Sequence, residues 1–271
     1  MMRLLGSSEK IEVSLEGDDT RTSRSALRHW YKNYYLVYGK QKIKNKTVLE
    51  IMYDRLKFSK KINRIIFAIP GNRKNKDLIK YIKFKNYAFC KGSEKNVLKR
   101  YYFAAKKFRS KNIMRLTSDC PLIDYKICDQ LIEIFNKKKI DHIYTGPSFA
   151  EGLDVEIFTF ETLRKIFKNA SSNTEKEHAT YYIKKHPKKF KSLKIENKND
   201  HSKFRITLDE KEDLVVIKKL IKKFPEILKK IYVSSGKIIS YLKSNKKLYG
   251  INSKIIRNEG LIRSLKKEKF S

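Results

Sequence analysis

The middle of the chain alternates continuous apolar runs with amphipathic ones. "RIIFAIP" (64–70) is unbroken apolar sequence closed by Pro and Gly, the pattern of a strand buried on both faces of a parallel sheet. "NYAFC" (86–90), "NIMRLT" (112–117) and "DHIYTG" (141–146) repeat that pattern on a smaller scale. Between them, "KGSEKNVLKRYYFAAKKF" predicts a helix capped by Ser93. "LIDYKICDQLIEIFNKK" predicts one that starts at Asp124 and ends in lysines, as the helix dipole favours. Strand and helix in alternation predict an open, mostly parallel α/β sheet. Further on, "LDVEIFTF" (153–160) alternates as a strand and "ETLRKIFKNA" reads as a helix. "SNTEKEHATYYIKKHP" reads as one Ser/Thr-capped helix, "FKSLKIEN" and "FRITLD" as strands, and "EKEDLVVIKKLIKKF" as an amphipathic helix. From about 226 the sequence is helical and basic. The expected division is a segment 1–45, an α/β domain 46–225 and a basic helical tail 226–271.

Composition narrows the reading. The 271 residues are 40% hydrophobic, enough for one large domain or a domain with an appendage. Sixty-four Lys and Arg against twenty-nine Asp and Glu give a formal charge of +35. That excess suggests a polyanionic partner, nucleic acid or an anionic membrane surface. It is, however, mostly lysine spread along the chain with abundant Ile and Asn, as AT-rich codons produce, and it carries no compact arginine-rich or aromatic–basic motif. Nucleic acid is therefore not the favoured partner. The three cysteines have no CxxC spacing, which argues against a disulfide framework or structural zinc and fits a cytoplasmic setting. No apolar run approaches the roughly 20 residues of a membrane span.

In this lysine-rich chain, carboxylates at strand ends stand out. Asp119 follows "IMRLTS", Asp154 opens "LDVEIF" and Asp209 follows "FRITL". Open α/β sheets bind ligands at the carboxyl ends of their strands. Paired aspartates there suit Mg²⁺, which takes oxygen ligands and bridges protein to substrate phosphates. A plainer role is open for each: Asp119 as a turn cap, Asp209 as a helix N-cap with Glu212 as its box partner, Asp154 as a solvated strand start, His178 as a structural histidine and Cys120 as a small buried residue.

The segments "KGSEKNVLKRYYFAAKKF", "RLTSDCPLID", "EGLDVEIFTFETL", "EKEHATYYIKKHP" and "FRITLDEKEDLVVIKKL" come in this order. Together they resemble the cytidylyltransferase family, in the branch of spore-coat polysaccharide biosynthesis protein F, related to synthetases that activate sugar acids with CTP. The resemblance runs from about residue 46 to the end. It implies a Rossmann-like three-layer α/β sandwich of the nucleotide-diphospho-sugar transferase type with a C-terminal helical tail. It also implies transfer of CMP from CTP to a sugar or sugar acid for surface polysaccharide, with pyrophosphate released. By the same resemblance, Asp119 and Asp209 are catalytic and hold Mg²⁺, while Arg115, Asp154, Glu177, His178 and Arg205 bind substrate. Relatives that pair through exposed strands point to a homodimer.

The sequence departs from the family in two places. Ser118 stands where a glycine usually precedes the aspartate. The opening strand and phosphate-cradling loop have only an echo in "IEVSLEGDDTRTSRSAL", and the match resumes near "NKTVLEIMYDRLK". Arg21, Arg24 and Lys46 are the candidates for phosphate contact there. The alternative is a catalytically impaired relative that binds nucleotide or sugar, or serves as an assembly partner.

Overall fold

The computed structural model describes residues 11–16 and 42–269. Seven strands form one sheet: β1 (Ile11–Glu16), β4 (Ile62–Pro70), β5 (Ala88–Gly92), β6 (Asn112–Thr117), β7 (His142–Thr145), β8 (Glu156–Thr159) and β9 (Ser192–Ile195). Their order is β5-β4-β1-β6-β8-β7-β9, and β8 alone runs against the rest. Two short strands, β2 (Lys42–Ile43) and β3 (Lys46–Thr47), make a separate hairpin. β1 comes from the segment expected to diverge, yet it lies at the centre of the sheet. Its last residue, Glu16, pairs with Thr117 of β6 and Ala68 of β4.

The apolar runs are continuous because both faces of the sheet are covered. Phe67 and Ile69 of β4, with Met114 and Leu116 of β6, face the helices α1 (Val48–Leu56), α2 (Lys76–Phe84) and α4 (Tyr125–Lys138). The alternate residue Ile113 enters a second cluster with α3 (Val97–Phe108) and α5 (Phe160–Asn169), and Ala68 meets Ala104 of α3. The result is a three-layer sandwich. A third cluster joins α1, the 149–153 loop and residues 204–208 to α8 (Lys211–Lys223), α9 (Ser235–Ser244) and α10 (Lys246–Tyr249). The residues from 226 to 249 thus share a core with the α/β layers. Asp124 fastens this join. Its carboxylate caps α4 through the Lys126 amide at 3.0 Å and also accepts from the Tyr232 hydroxyl at 2.9 Å and the Ser235 amide at 2.7 Å.

Four expectations about elements change. α3 is capped by Asn96, whose side chain accepts from the Lys99 amide; Ser93 caps the preceding turn at the Asn96 amide. The single helix expected over 172–186 is two, α6 (Asn173–Glu177) and α7 (Tyr181–Lys185), broken at His178–Thr180. "FRITLD" forms no strand and is held by one bridge between Glu151 and Arg205. The box at the start of α8 comes from Asp213, whose carboxylate accepts from the Glu210 amide at 2.9 Å and the Asp209 amide at 3.0 Å, so Asp209 and Glu212 are not its cap pair.

Candidate active site

The carboxyl edge of the sheet is where these chain breaks converge. β6 ends at Thr117, β7 ends at Thr145 and the antiparallel β8 begins at Glu156 on the same edge. A cleft of about 280 Å³ opens there. Arg115, Asp119, Asp154, His178 and Asp209, drawn from four separated stretches, all line it. Asp119 and Asp209 are brought together by Thr207, whose hydroxyl donates to the Asp119 carbonyl at 3.3 Å. Because Asp124 caps α4 and Asp213 closes α8, neither Asp119 nor Asp209 serves as a helix cap.

Arg205 is the correction on this side. It was expected to meet substrate, but its side chain is only 5% exposed and lies behind the cleft. Its guanidinium donates to Asp209 at 2.6 Å, to Asp213 twice at 2.9 Å, and to Glu151. Burial works against its charge, but Asp213, Glu151 and Asp209 outweigh that and hold it protonated. Arg205 therefore sets the orientation of the segment that carries Asp209. Gly152 lets the neighbouring loop approach this segment. Its φ is +100°, and a Cβ there would lie 2.7 Å from the backbone of Ile206 and Thr207.

At the other end of the cleft the centre is Glu156, which the sequence reading passed over. Arg115 donates to it at 3.0 Å and Thr180 at 2.8 Å, and the Lys184 ammonium lies 3.8 Å away. Burial would raise its pKa, but Lys184 and Arg115 dominate and hold the carboxyl at about 2, so it stays ionised. A lone carboxylate between Val155 and Ile157, both buried, was the available signal. Asp154 accepts from the Gly152 amide at 3.1 Å and from Arg257 at 2.8 Å. His178 faces the cleft because the helix breaks there, and its Nε2 lies 3.2 Å from the Ser264 hydroxyl. Glu177 meets the same hydroxyl at 3.2 Å and does not line the cleft. Arg257, Asn258, Gly260 and Leu261 close the wall; the sequence placed them in the basic tail, where the family resemblance continues, but assigned them no role at the site. Cys120 is buried beside Asp119, and burial pushes its thiol well up, which fits the small buried residue rather than a nucleophile.

Of the phosphate candidates, Lys46 pairs with Asp54 at 2.6 Å and does not line the cleft. Arg21 and Arg24 lie outside the described residues. The donor set suits one metal type. Asp119 and Asp209 offer hard oxygens, and no cluster of three His, Cys, Asp or Glu that could cage an ion occurs among the described residues. Mg²⁺, which is commonly held by one or two carboxylates plus substrate oxygens and water, fits such a pair.

A sequence model described as cytidylyltransferase matches residues 40–255, which include every lining residue as far as Asp209. The chain belongs to the cytidylyltransferase family. It is 32% identical over 227 residues to an uncharacterized protein of Methanocaldococcus jannaschii, a match covering 80% of this chain and 91% of that one. It is 26% identical over 207 residues to the spore coat polysaccharide biosynthesis protein SpsF of Bacillus subtilis, covering 73% and 84%. The solved structure of a cytidylyltransferase from Leptospira borgpetersenii superposes with a TM-score of 0.74 at 26% identity, covering 89% of this chain and 97% of that one. The fold of this cytidylyltransferase is thus the expected nucleotide-diphospho-sugar transferase sandwich. Among the described residues, no helix is long and apolar enough to cross a membrane.

Proposed function

We propose that this cytidylyltransferase moves CMP from CTP to a sugar or sugar acid in surface polysaccharide synthesis. The observation that carries the reading is the meeting of Asp119 and Asp209, ninety positions apart, at one cleft on the carboxyl edge of the sheet. The reading is that an acceptor oxygen attacks the α-phosphorus, the bond to the bridging oxygen of the β-phosphate breaks, and pyrophosphate leaves. Asp119 and Asp209 would hold Mg²⁺, which neutralises charge on the phosphates.

The chain's own side chains do the positioning. Glu156 keeps Arg115 and Lys184 aimed at the cleft. Asp154 offers a carboxylate to acceptor hydroxyls, with His178 and Thr180 beside it. β1 ends at Glu16 opposite Thr117 at this edge. Arg21 and Arg24 follow it in the sequence, and we assign those two to the triphosphate. Three buried thiols in free form suit the reducing cytoplasm, which we take as the compartment. A homodimer belongs to this reading, with the edge strand β9 available for pairing. The lysines do not favour a nucleic-acid role, because they close α2 and α4 on one face of the sheet, α3 on the other, and α8 and α9 in the third cluster, rather than forming one patch.

A pyrophosphate-release assay with CTP, Mg²⁺ and a panel of sugars and sugar acids tests the proposal. Release that needs both an acceptor and Mg²⁺ supports it. Calorimetric binding of CTP with no release under any acceptor would instead favour the non-catalytic relative.

A further inference from the structure

The last part of the chain does more than cover the sandwich. After α10 it turns back across the cleft and touches both ends. Asn252 is buried, and its side-chain amide donates to Asp213 at 2.8 Å and to the Arg205 carbonyl at 3.2 Å. Asp213 is the group that accepts the Asp209 amide. Five residues later the Arg257 guanidinium donates to the carbonyls of Pro147 at 2.9 Å and Phe149 at 2.7 Å and to the Asp154 carboxylate at 2.8 Å. The Asn258 amide adds a bond to Glu151 at 3.3 Å. The family match ends at 255, before Arg257.

We propose that residues 252–258 form a strap with two separate handles. Asn252 positions Asp209, through Asp213, on the nucleotide side. Arg257 positions Asp154 and the 146–152 loop on the acceptor side. The inference rests on the nucleotidyl-transfer reading for what the two sides bind. The geometry itself is independent of that reading.

The physical case is one of restraint. The 146–152 loop contains Gly146, Pro147 and Gly152, and its buried apolar anchors are Phe149 and Ala150. A planar guanidinium can span two carbonyls and a carboxylate at once, which an ammonium cannot do with the same geometry. Arg257 therefore fixes the loop's main chain and the Asp154 side chain relative to each other. Asp154 lies in the loop just before β8 with its side chain 44% exposed, and without Arg257 its carboxylate would keep only the Gly152 amide among the described residues. Arg257 and Asn252 act as positioning residues: both amide donors of Asn252 and three of the five N–H donors of Arg257 are spent on protein oxygens.

The test uses the full chain with Arg257→Gln, Arg257→Lys and Asn252→Ser. Steady-state kinetics give the KM for CTP and for the acceptor separately, calorimetry gives Mg·CTP affinity, and amide hydrogen exchange reports on each handle. Arg257→Gln should raise the acceptor KM roughly tenfold, leave the CTP KM within about twofold, and speed exchange over 146–154. Arg257→Lys should fall between it and wild type. Asn252→Ser should weaken Mg·CTP roughly tenfold with little change in acceptor KM, and speed exchange at the Asp209 and Glu210 amides. Equal shifts in both KM values for both variants, or none, would overturn the proposal. If the wild-type chain transfers nothing, the functional reading falls, but exchange still decides the strap. The two variants must loosen different segments, and unchanged exchange at 146–154 in Arg257→Gln refutes it.

Discussion

Arg205 donates to Asp209 at 2.6 Å while its other nitrogens are held by Asp213 and Glu151, so one buried cation fixes a cleft carboxylate and the start of α8 together. Removing it leaves Glu151 and Asp213 buried without their partner, the costly way to break an ionic network. Arg205→Met should cost about 3–5 kcal/mol of stability, read from urea unfolding. It should also lower activity under conditions where the variant remains folded. A change below about 1 kcal/mol would show that the network is not a structural hub.

The Gly152 position makes a second, sharper demand. Gly152→Ala puts a methyl against the backbone of Ile206 and Thr207 at a left-handed φ. The expected loss is about 2 kcal/mol or more, with the Glu151–Arg205 bridge disrupted. Thermal unfolding at matched conditions measures it, and an unchanged midpoint would contradict the close approach described for this loop.

His142 gives a pH dependence whose sign follows from burial. It is fully buried, its Nε2 has no hydrogen-bond partner among the described residues, and burial holds its pKa down at about 4 against an ordinary 6.5. The unfolded chain therefore takes up this proton first as pH falls. Stability from neutral His142 is present above pH 6.5 and is lost progressively down to about 4, by about 3 kcal/mol in all. Glu156, held at about 2, adds a further loss at lower pH, below the ordinary carboxylate range near 4.5. His142→Gln should flatten the stability profile between pH 6.5 and 4.5. An unchanged slope would assign that acid sensitivity to other groups.

Much of the sandwich was legible in the sequence because burial on both faces leaves a plain mark. "NIMRLT" became β6 residue for residue, and "RIIFAIP" lies within β4. Asp119, Asp154 and Asp209 were visible as carboxylates at the ends of apolar runs, and all three reach the cleft. What was hidden depended on contacts between distant segments. Arg205 looked like a ligand for substrate because nothing nearby announced Asp213 and Glu151 as its partners. Glu156 sat inside a strand pattern read for its apolar neighbours. Arg257 belongs to a basic tail whose role appears only when the chain folds back over Asp154. The helix break at His178 was masked by a good Ser172 cap and a helical pattern that continued past it.

The central claim is that Asp119 and Asp209 together make a nucleotidyl-transfer centre. The most direct measurement is pyrophosphate release from CTP by Asp119→Asn beside wild type, with the same acceptor and Mg²⁺ and with thermal unfolding of both. The account predicts a loss of roughly a thousandfold or more at an unchanged unfolding midpoint, because Asp119 caps no helix and its side chain faces the cleft. Turnover by Asp119→Asn at the wild-type rate would contradict it.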